Sequence, residues 1–280
     1  MIERSSFLSA VAAFGTAATL APRRALAADT LTVAFIPEVA TTPSSYAAKQ
    51  PLVDMLSRAV KRSVKLVIPT NYAATVEAIG NDSVDLAYFG GLTYLKARKL
   101  YGVIPLVQRE ADRQFHSLFI TSRPQIVKLA DLRGKQFAFG DVNSTSGHLQ
   151  PVKEMLDAGI DPDKDLQTRY TGNHTATAIA VNGGSVDAGA IDETVYRKLV
   201  EEKTIDPAKA RVFFTSRPFV DYVWVVRKGL DAATAEAIKK AFLGTTDPAV
   251  LDVLRATKYV VANDAEYEPL RKVAERLKLL

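Results

Sequence analysis

The residues with the clearest capacity for chemistry form the run Asn143-Ser144-Thr145-Ser146-Gly147. The run follows a predicted strand, Gln136 to Gly140, and opens a helical pattern. The first N–H groups of a helix lack internal partners and lie at its positive end, and hydroxyl groups beside them add donors. Ser144, Thr145 and Ser146 are therefore predicted to hold an oxyanion, although an ordinary serine N-cap is the competing interpretation. The run lacks the Gly and Lys placement of a P-loop, so no nucleotide is expected.

A partial internal repeat, at an offset of 102 residues, points to two further site residues. Nine residues recur in register: Asn71, Ala74, Thr75, Ala78, Ser83, Val84, Asp85, Tyr94 and Lys96 match Asn173, Ala176, Thr177, Ala180, Ser185, Val186, Asp187, Tyr196 and Lys198. Tyr72 and His174 hold equivalent positions at the two helix starts. A hydroxyl group and a ring N–H would suit an anion held from both sides. The alternatives are chance similarity of two βα units and a packing or capping role for each residue.

Loops that follow the repeated strands supply the next candidates. Tyr88 and Phe89 are expected to wall a cleft, because parallel sheets hold ligands at the carboxyl ends of their strands. The corresponding pair in the second copy is Asp192-Glu193, for which a helix cap is the favoured role. The three histidines lie in different predicted elements without an acid at ligand spacing, so neither a metal site nor any cofactor is expected.

The elements that position these residues alternate between short β-rich runs and helical patterns. The predicted strands are Leu31–Ile36, Val64–Ile68, Val84–Tyr88, Phe115–Ile120, Gln136–Gly140 and Tyr222–Val226; helices are predicted around residues 52–60, 73–79, 92–100, 232–242 and 267–279. Such a succession is typical of an α/β protein with doubly wound, mainly parallel sheets.

The repeat predicts two lobes, and a second similarity, between Phe119–Pro124 and Phe213–Pro218, suggests where the chain crosses between them. The predicted first lobe comprises residues 28–120 and 219–280, and the second comprises residues 121–218. Two crossing segments would form a hinge that permits closure around a ligand.

The N-terminus indicates export. An apolar run from Phe7 to Ala21 follows Arg4 and precedes Ala25-Leu26-Ala27, which is typical of a signal peptide spanning residues 1–27. No later run is long and apolar enough to span a bilayer. Removing the segment lowers the net charge from +5 to about +3, and no arginine-rich arm suggests nucleic-acid binding. The chain contains no cysteine, so two well-packed cores must supply its stability.

On these residues the chain resembles the phosphate-, phosphite- and phosphonate-binding components of ABC importers, within the type II periplasmic-binding-protein fold. The resemblance covers nearly all of the mature sequence and is strongest for the branch described as binding proteins of selenate transporters. The motifs that carry it are Tyr88–Thr93, Pro105–Glu110, Asn143–His148 and Phe219–Trp224.

The resemblance implies roles for individual residues. The phosphonate-binding tyrosine of the family matches Tyr72, its hydroxyl donors match Ser144, Thr145 and Ser146, and its cleft histidine matches His174. Two acids that face an amino group in phosphonate binders match Glu193 and Asp221. A further family tyrosine falls on Phe115, which removes one donor and argues against an ordinary phosphonate.

The sequence therefore predicts a periplasmic solute-binding protein, without enzymatic activity, that binds a small tetrahedral oxyanion and delivers it to the membrane permease of an ABC importer. The alternative is a secreted enzyme on a similar two-lobed scaffold, acting on a small phospho- or sulfo-ester. No nucleophile elbow, metal motif or cysteine nucleophile favours that alternative.

Overall fold

The computed structural model describes residues 30–280. The predicted signal peptide, residues 1–27, lies outside the described residues. Within the described part of the chain, no helix combines the length and apolarity needed to cross a membrane.

Strands and helices alternate along the chain, as the periodicity predicts. The strands are β1 Thr30–Phe35, β2 Ser63–Val67, β3 Leu86–Phe89, β4 Ile104–Arg109, β5 Ser117–Thr121, β6 Gln136–Phe139, β7 Gln167–Tyr170, β8 Ala188–Asp192, β9 Arg211–Thr215, β10 Val223–Val226 and β11 Tyr259–Val261. The helices are α1 Pro43–Ala47, α2 Gln50–Val60, α3 Tyr72–Gly80, α4 Gly91–Tyr101, α5 Gln150–Asp157, α6 Pro162–Asp165, α7 His174–Asn182, α8 Glu193–Glu201, α9 Ala232–Gly244, α10 Pro248–Asp252 and α11 Glu268–Arg276. A π-helical turn, Thr145–Leu149, leads directly into α5.

The strands form two sheets that share one pattern. The first has the order β11-β4-β10-β3-β1-β2, and the second has the order β7-β6-β8-β5-β9. In the first sheet β10 lies antiparallel between β3 and β4, which therefore point the same way as β1 and β2. In the second sheet β5 lies antiparallel between β8 and β9 in the same manner. Each sheet is thus mainly parallel, with one strand from a crossing segment inserted in the opposite direction. The edge strand β11 of the first sheet also runs antiparallel to its neighbour β4. The two-lobed α/β fold is confirmed.

The chain passes between the sheets twice. The first sheet takes its strands from residues 30–109 and 223–261, and the second from residues 117–215. The two passages meet at Phe115 and Phe219, which exchange backbone hydrogen bonds of 2.9 and 3.0 Å. The predicted limits at residues 120 and 218 lie within a few residues of these changes of sheet. Where each lobe begins and ends along the passages stays a prediction.

The internal repeat corresponds to equivalent structure in the two lobes. Helices α3 and α7 begin 102 positions apart, and so do α4 and α8. Asn71 accepts a hydrogen bond from Ala74 N, and Asn173 accepts one from Ala176 N, each at 2.8 Å. The repeated Asn is therefore the N-cap that starts each helix, which explains why it recurs at this offset.

Candidate ligand-binding site

The candidate site lies between the lobes, where helix starts from both sheets meet. Tyr72 opens α3 in the first lobe and His174 opens α7 in the second, and Ser146 lies in the π-helical turn. Their side chains are at most 1% exposed. Tyr72 Oη, Ser146 Oγ and His174 Nε2 nevertheless have no hydrogen-bond partner. Buried polar atoms are normally paired, so three unpaired atoms at adjoining helix starts indicate a ligand position.

His174 is held as a neutral donor. Its Nδ1 accepts the backbone N–H of Asp192 at 3.3 Å, so in the neutral ring the proton resides on Nε2. Burial lowers the pKa of His174, and the nearby charge of Asp192 only partly opposes that shift. The unpartnered Nε2–H can therefore donate to an anion.

Gly147 allows the π-helical turn to approach this histidine. A Cβ atom at position 147 would lie 2.9 Å from His174 Cε1 and 3.0 Å from Ser144 Oγ, which is closer than such atoms pack. A hydrogen bond of 2.9 Å from Gly140 N to Gly147 O fixes the turn against the end of β6. Wide helical turns of this kind occur frequently at functional sites.

The three hydroxyl residues that the sequence groups together have different partners. Ser144 is the N-cap of the turn and accepts from Gly147 N at 3.0 Å. Thr145 Oγ1 accepts from Leu92 N at 2.9 Å, and it adjoins the Asp221 carboxyl group, whose pKa it lowers. Ser146 alone presents an unpartnered hydroxyl. In the structure Ser144 caps the turn, Thr145 makes a contact between lobes, and Ser146 has no hydrogen-bond partner among the described residues; the contact of each with a ligand stays a prediction.

The two predicted acids occupy contrasting positions. Asp221 is 1% exposed; its Oδ1 accepts from Gly91 N at 2.8 Å, and its Oδ2 has no partner. Burial raises the pKa of Asp221 to about 8, and the charges of Asp192 and Asp112 contribute to the rise. At neutral pH Asp221 is therefore mostly protonated, and its Oδ2 can donate a hydrogen bond.

Both carboxylate oxygens of Glu193 are occupied by protein partners. Oε1 accepts from His116 N at 3.2 Å, and Oε2 forms an ion pair with Arg197 at 3.3 Å. Glu193 therefore fits the capping and surface-pairing alternative better than a ligand contact, and its role in the site stays a prediction.

The predicted aromatic residues line the first lobe. Tyr88 stacks on Tyr222 with ring centroids 5.0 Å apart and an interplanar angle of 10°. Phe115 meets Tyr222 edge-on at 5.5 Å. Phe89, the last residue of β3, is fully buried. Tyr222 thus links Tyr88 and Phe115 into one wall.

Sequence reasoning missed the contact between Tyr222 and Asp192. Tyr222 Oη donates to Asp192 Oδ2 at 2.7 Å, which joins the second passage to the second lobe. The helix-cap role predicted for Asp192 is confirmed, because its Oδ1 accepts from Thr194 N and Val195 N at the start of α8. The Tyr222 bond spans 30 positions and leaves no periodic signal in the sequence.

A second set of contacts joins the lobes beside Ser146. Thr93 Oγ1 donates to Asn143 O at 3.0 Å, and Lys96 Nζ donates to Asn143 Oδ1 at 2.6 Å. Together with the bond from Leu92 N to Thr145, these contacts tie the first turns of α4 to residues 143–145. We call this set the α4 latch. It links the two lobes next to Ser146.

Comparisons with known proteins show the family and the fold of this chain. The sequence model of a family described as "ABC transporter, phosphonate, periplasmic substrate-binding protein" matches residues 34–267. The probable ABC transporter phosphite binding protein PhnD1 of Prochlorococcus marinus is 27% identical over 241 residues, covering 79% of this chain and 81% of the relative. The phosphate-import protein PhnD of Mycolicibacterium smegmatis is 25% identical over 275 residues, covering 88% of this chain and 85% of the relative.

A solved structure of Prochlorococcus marinus PhnD1 in complex with methylphosphonate superimposes with a TM-score of 0.82. Its sequence is 26% identical, and the match covers 90% of this chain and 99% of that one.

Proposed function

This chain belongs to the family of periplasmic substrate-binding proteins of phosphonate ABC transporters, and from that premise we propose that its interlobe site binds a small tetrahedral oxyanion. The ligand is a phosphonate, phosphite or phosphate, or selenate, and the protein delivers it to the cognate membrane permease. We further infer that residues 1–27 are the cleaved signal peptide that directs the protein to the periplasm, which the apolar run Phe7–Ala21 supports.

The observation that carries the proposal is the set of unpaired buried donors on Tyr72, Ser146 and His174. Each unpaired group costs about 1–3 kcal/mol of desolvation that a ligand oxygen would offset. All three donors are neutral, and they come from both lobes. An anion that accepts from all of them would favour the closed state, as ligand-driven closure requires.

Asp221 extends the donor set. As a protonated acid it presents an O–H group to the ligand, so its position does not conflict with an anion. This supports the inclusion of Asp221 among the ligand-binding residues.

The alternative of a secreted enzyme is set aside, because the family consists of substrate-binding components of transporters. Side-chain partners agree with that conclusion. Ser144 Oγ is occupied by Gly147 N, and His174 Nδ1 accepts from Asp192 N. The two residues are thus arranged as a cap and a donor, without the hydrogen bond that joins a nucleophile to its base.

Thermal unfolding with a panel of methylphosphonate, phosphite, phosphate, selenate and a short alkanesulfonate tests the proposal. A ligand at a hundred times its Kd should stabilise the fold by about 2.7 kcal/mol. Tyr72→Phe is the matched variant, because it removes only the hydroxyl group of one proposed donor. The ligand-induced rise in Tm should be smaller in this variant, while the ligand-free protein stays folded. If none of the five anions raises Tm, the proposed function is wrong.

A further inference from the structure

Glu38 is an acid that neither the internal repeat nor the family resemblance singles out. It follows β1 at the carboxyl end of the first sheet. Its backbone oxygen accepts the N–H of His174 at 3.0 Å. Because His174 opens α7, this bond between lobes holds Glu38 beside the ring whose Nε2 is unpartnered.

The Glu38 carboxyl group has charged neighbours but no bonded partner. Among residues 30–280 it forms neither a hydrogen bond nor an ion pair within 4 Å, whereas both oxygens of Glu193 are occupied. Burial raises the pKa of Glu38 and the charge of Asp192 raises it further, while Arg255, Arg109 and Lys49 lower it.

Glu38 also lies close to the hydroxyl groups of the site. Its charge raises the pKa of Tyr72, second only to burial, and it contributes to the raised pKa of Tyr88 and Tyr222. Glu38 is therefore placed among the tyrosines that wall the cleft. The Glu38 side chain is half-buried and has no protein partner within residues 30–280, so its carboxyl group is available to a donor on a ligand.

We propose that Glu38 is a specificity-determining residue, which accepts a hydrogen bond from a donor carried by the ligand. The donor is the hydroxyl group of a singly protonated oxyanion or an ammonium group on its substituent. A fully ionised anion such as selenate has no such donor, and the carboxylate repels it. The inference rests on the proposed function and specifies the class of anion that the site accepts.

The test compares dissociation constants for methylphosphonate and selenate, measured by calorimetry at neutral pH. Glu38→Gln replaces a charge-assisted hydrogen bond with a neutral one and removes the repulsion of selenate. We expect the preference for methylphosphonate over selenate to fall at least about tenfold, since a bond to a charged group is stronger by about 1.4 kcal/mol or more. Glu38→Asp, which keeps the charge but withdraws it by one methylene, should weaken methylphosphonate binding without improving selenate binding.

Two further Glu→Gln variants make the comparison specific. Glu202→Gln changes an exposed acid that pairs with Lys198 on α8. This variant should prefer methylphosphonate over selenate by the same factor as the parent. Glu193→Gln tests the competing acid. A change of preference in Glu193→Gln but not in Glu38→Gln would overturn the proposal. Circular dichroism melts of all four variants confirm that the measured proteins are folded.

A third ligand distinguishes the two sources of the donor. If 2-aminoethylphosphonate loses more affinity than methylphosphonate in Glu38→Gln, the donor is the ammonium group. If both phosphonates lose affinity by the same factor, the donor is the protonated oxygen.

Other outcomes contradict the inference. The inference is overturned if Glu38→Gln has the same preference as the parent, or if the parent prefers selenate. It is also overturned if Glu38→Gln changes the dissociation constants of methylphosphonate and selenate by the same factor. In that case Glu38 would be a counter-ion of Lys49 and Arg255. If the parent binds no anion of the panel, the proposed function fails as well. Binding by the parent with an unchanged preference in Glu38→Gln refutes the role of Glu38 alone.

Discussion

At the scale of single residues, the protein partner of a hydroxyl group decides what its removal does to the stability of the fold. Ser144, Thr145 and Ser146 are adjacent and chemically alike, yet only Ser146 has a hydroxyl group without a protein partner. Equivalent substitutions along the run should therefore produce different losses.

Ser146→Ala should weaken anion binding by about 1.5–3 kcal/mol, because it removes a donor to a charged ligand. Its ligand-free stability should hold, since the lost hydroxyl group was unpaired. Ser144→Ala should instead lower the free energy of unfolding by about 1 kcal/mol, the usual loss for an N-cap. Calorimetric titration and urea unfolding of both variants separate the two effects. Equal affinity losses in the two variants would contradict these assignments.

Asp221 should make stability depend on pH. Its pKa of about 8 in the folded protein lies well above the value of about 3.9 expected when unfolded. The folded state then binds the extra proton between those values, so the contribution is fully present below about pH 4 and is lost as pH rises through about 8. Urea unfolding of ligand-free protein at pH 5 and pH 8 should show a steeper decline in the parent than in Asp221→Asn, which imitates the protonated acid. Parallel declines would show that Asp221 is ionised in the fold.

At the scale of elements, the start of α4 joins the two lobes beside the proposed ligand site. Gly91 N, Leu92 N, Thr93 Oγ1 and Lys96 Nζ are all used, and three of these four donors cross to residues 143–145. Those residues adjoin Ser146, so the α4 latch holds the loop that carries the proposed ligand donor.

Lys96→Met should lower the affinity for every anion that binds by one common factor. The variant removes a contact of the closed state and no ligand contact, so it reduces the closed population equally for all ligands. A loss of about 1 kcal/mol corresponds to roughly fivefold weaker binding. Lys99→Met, on an exposed position of the same helix, is the matched control for titration calorimetry. Losses that differ between phosphite and methylphosphonate would show that Lys96 touches the ligand.

At the scale of the whole molecule, two similar lobes meet at paired passages near Phe115 and Phe219. The site contains groups from both lobes, so a ligand can be fully enclosed only when the lobes come together. Rotation about the passages is the motion that such a topology allows.

Spin labels can measure this closure directly, because the chain contains no cysteine that would compete for labelling. Asp54→Cys on α2 and Glu201→Cys on α8 place one label on each lobe; the neighbouring Pro51 lines the same surface cavity as Glu201. Methylphosphonate should shift the distances between the labels towards shorter values and narrow their distribution. An identical distribution with and without bound anion would exclude lobe closure as the response to ligand.

The sequence alone determined those features that depend on local interactions. Strand and helix alternation follows from periodicity, and the repeated Asn71 and Asn173 mark helix starts because each caps the helix that follows it. Capping and hydrophobic periodicity act within a few residues, which is why the helix starts that carry Tyr72 and His174 could be predicted. The unpaired atoms of both residues then lie at the meeting of the lobes, although their contacts with a ligand stay predictions.

Only the tertiary structure decided how the polar groups are paired. Thr145 meets Leu92 across 53 positions, and Asp221 meets Gly91 across 130. Glu193 and Asp221 are both acids near the cleft, yet one is bonded to His116 and Arg197 while the other keeps a free oxygen. Glu38 gains its place beside His174 from a backbone bond between lobes. Such pairings depend on which distant segments pack together, and burial then determines whether an unpaired group needs a ligand.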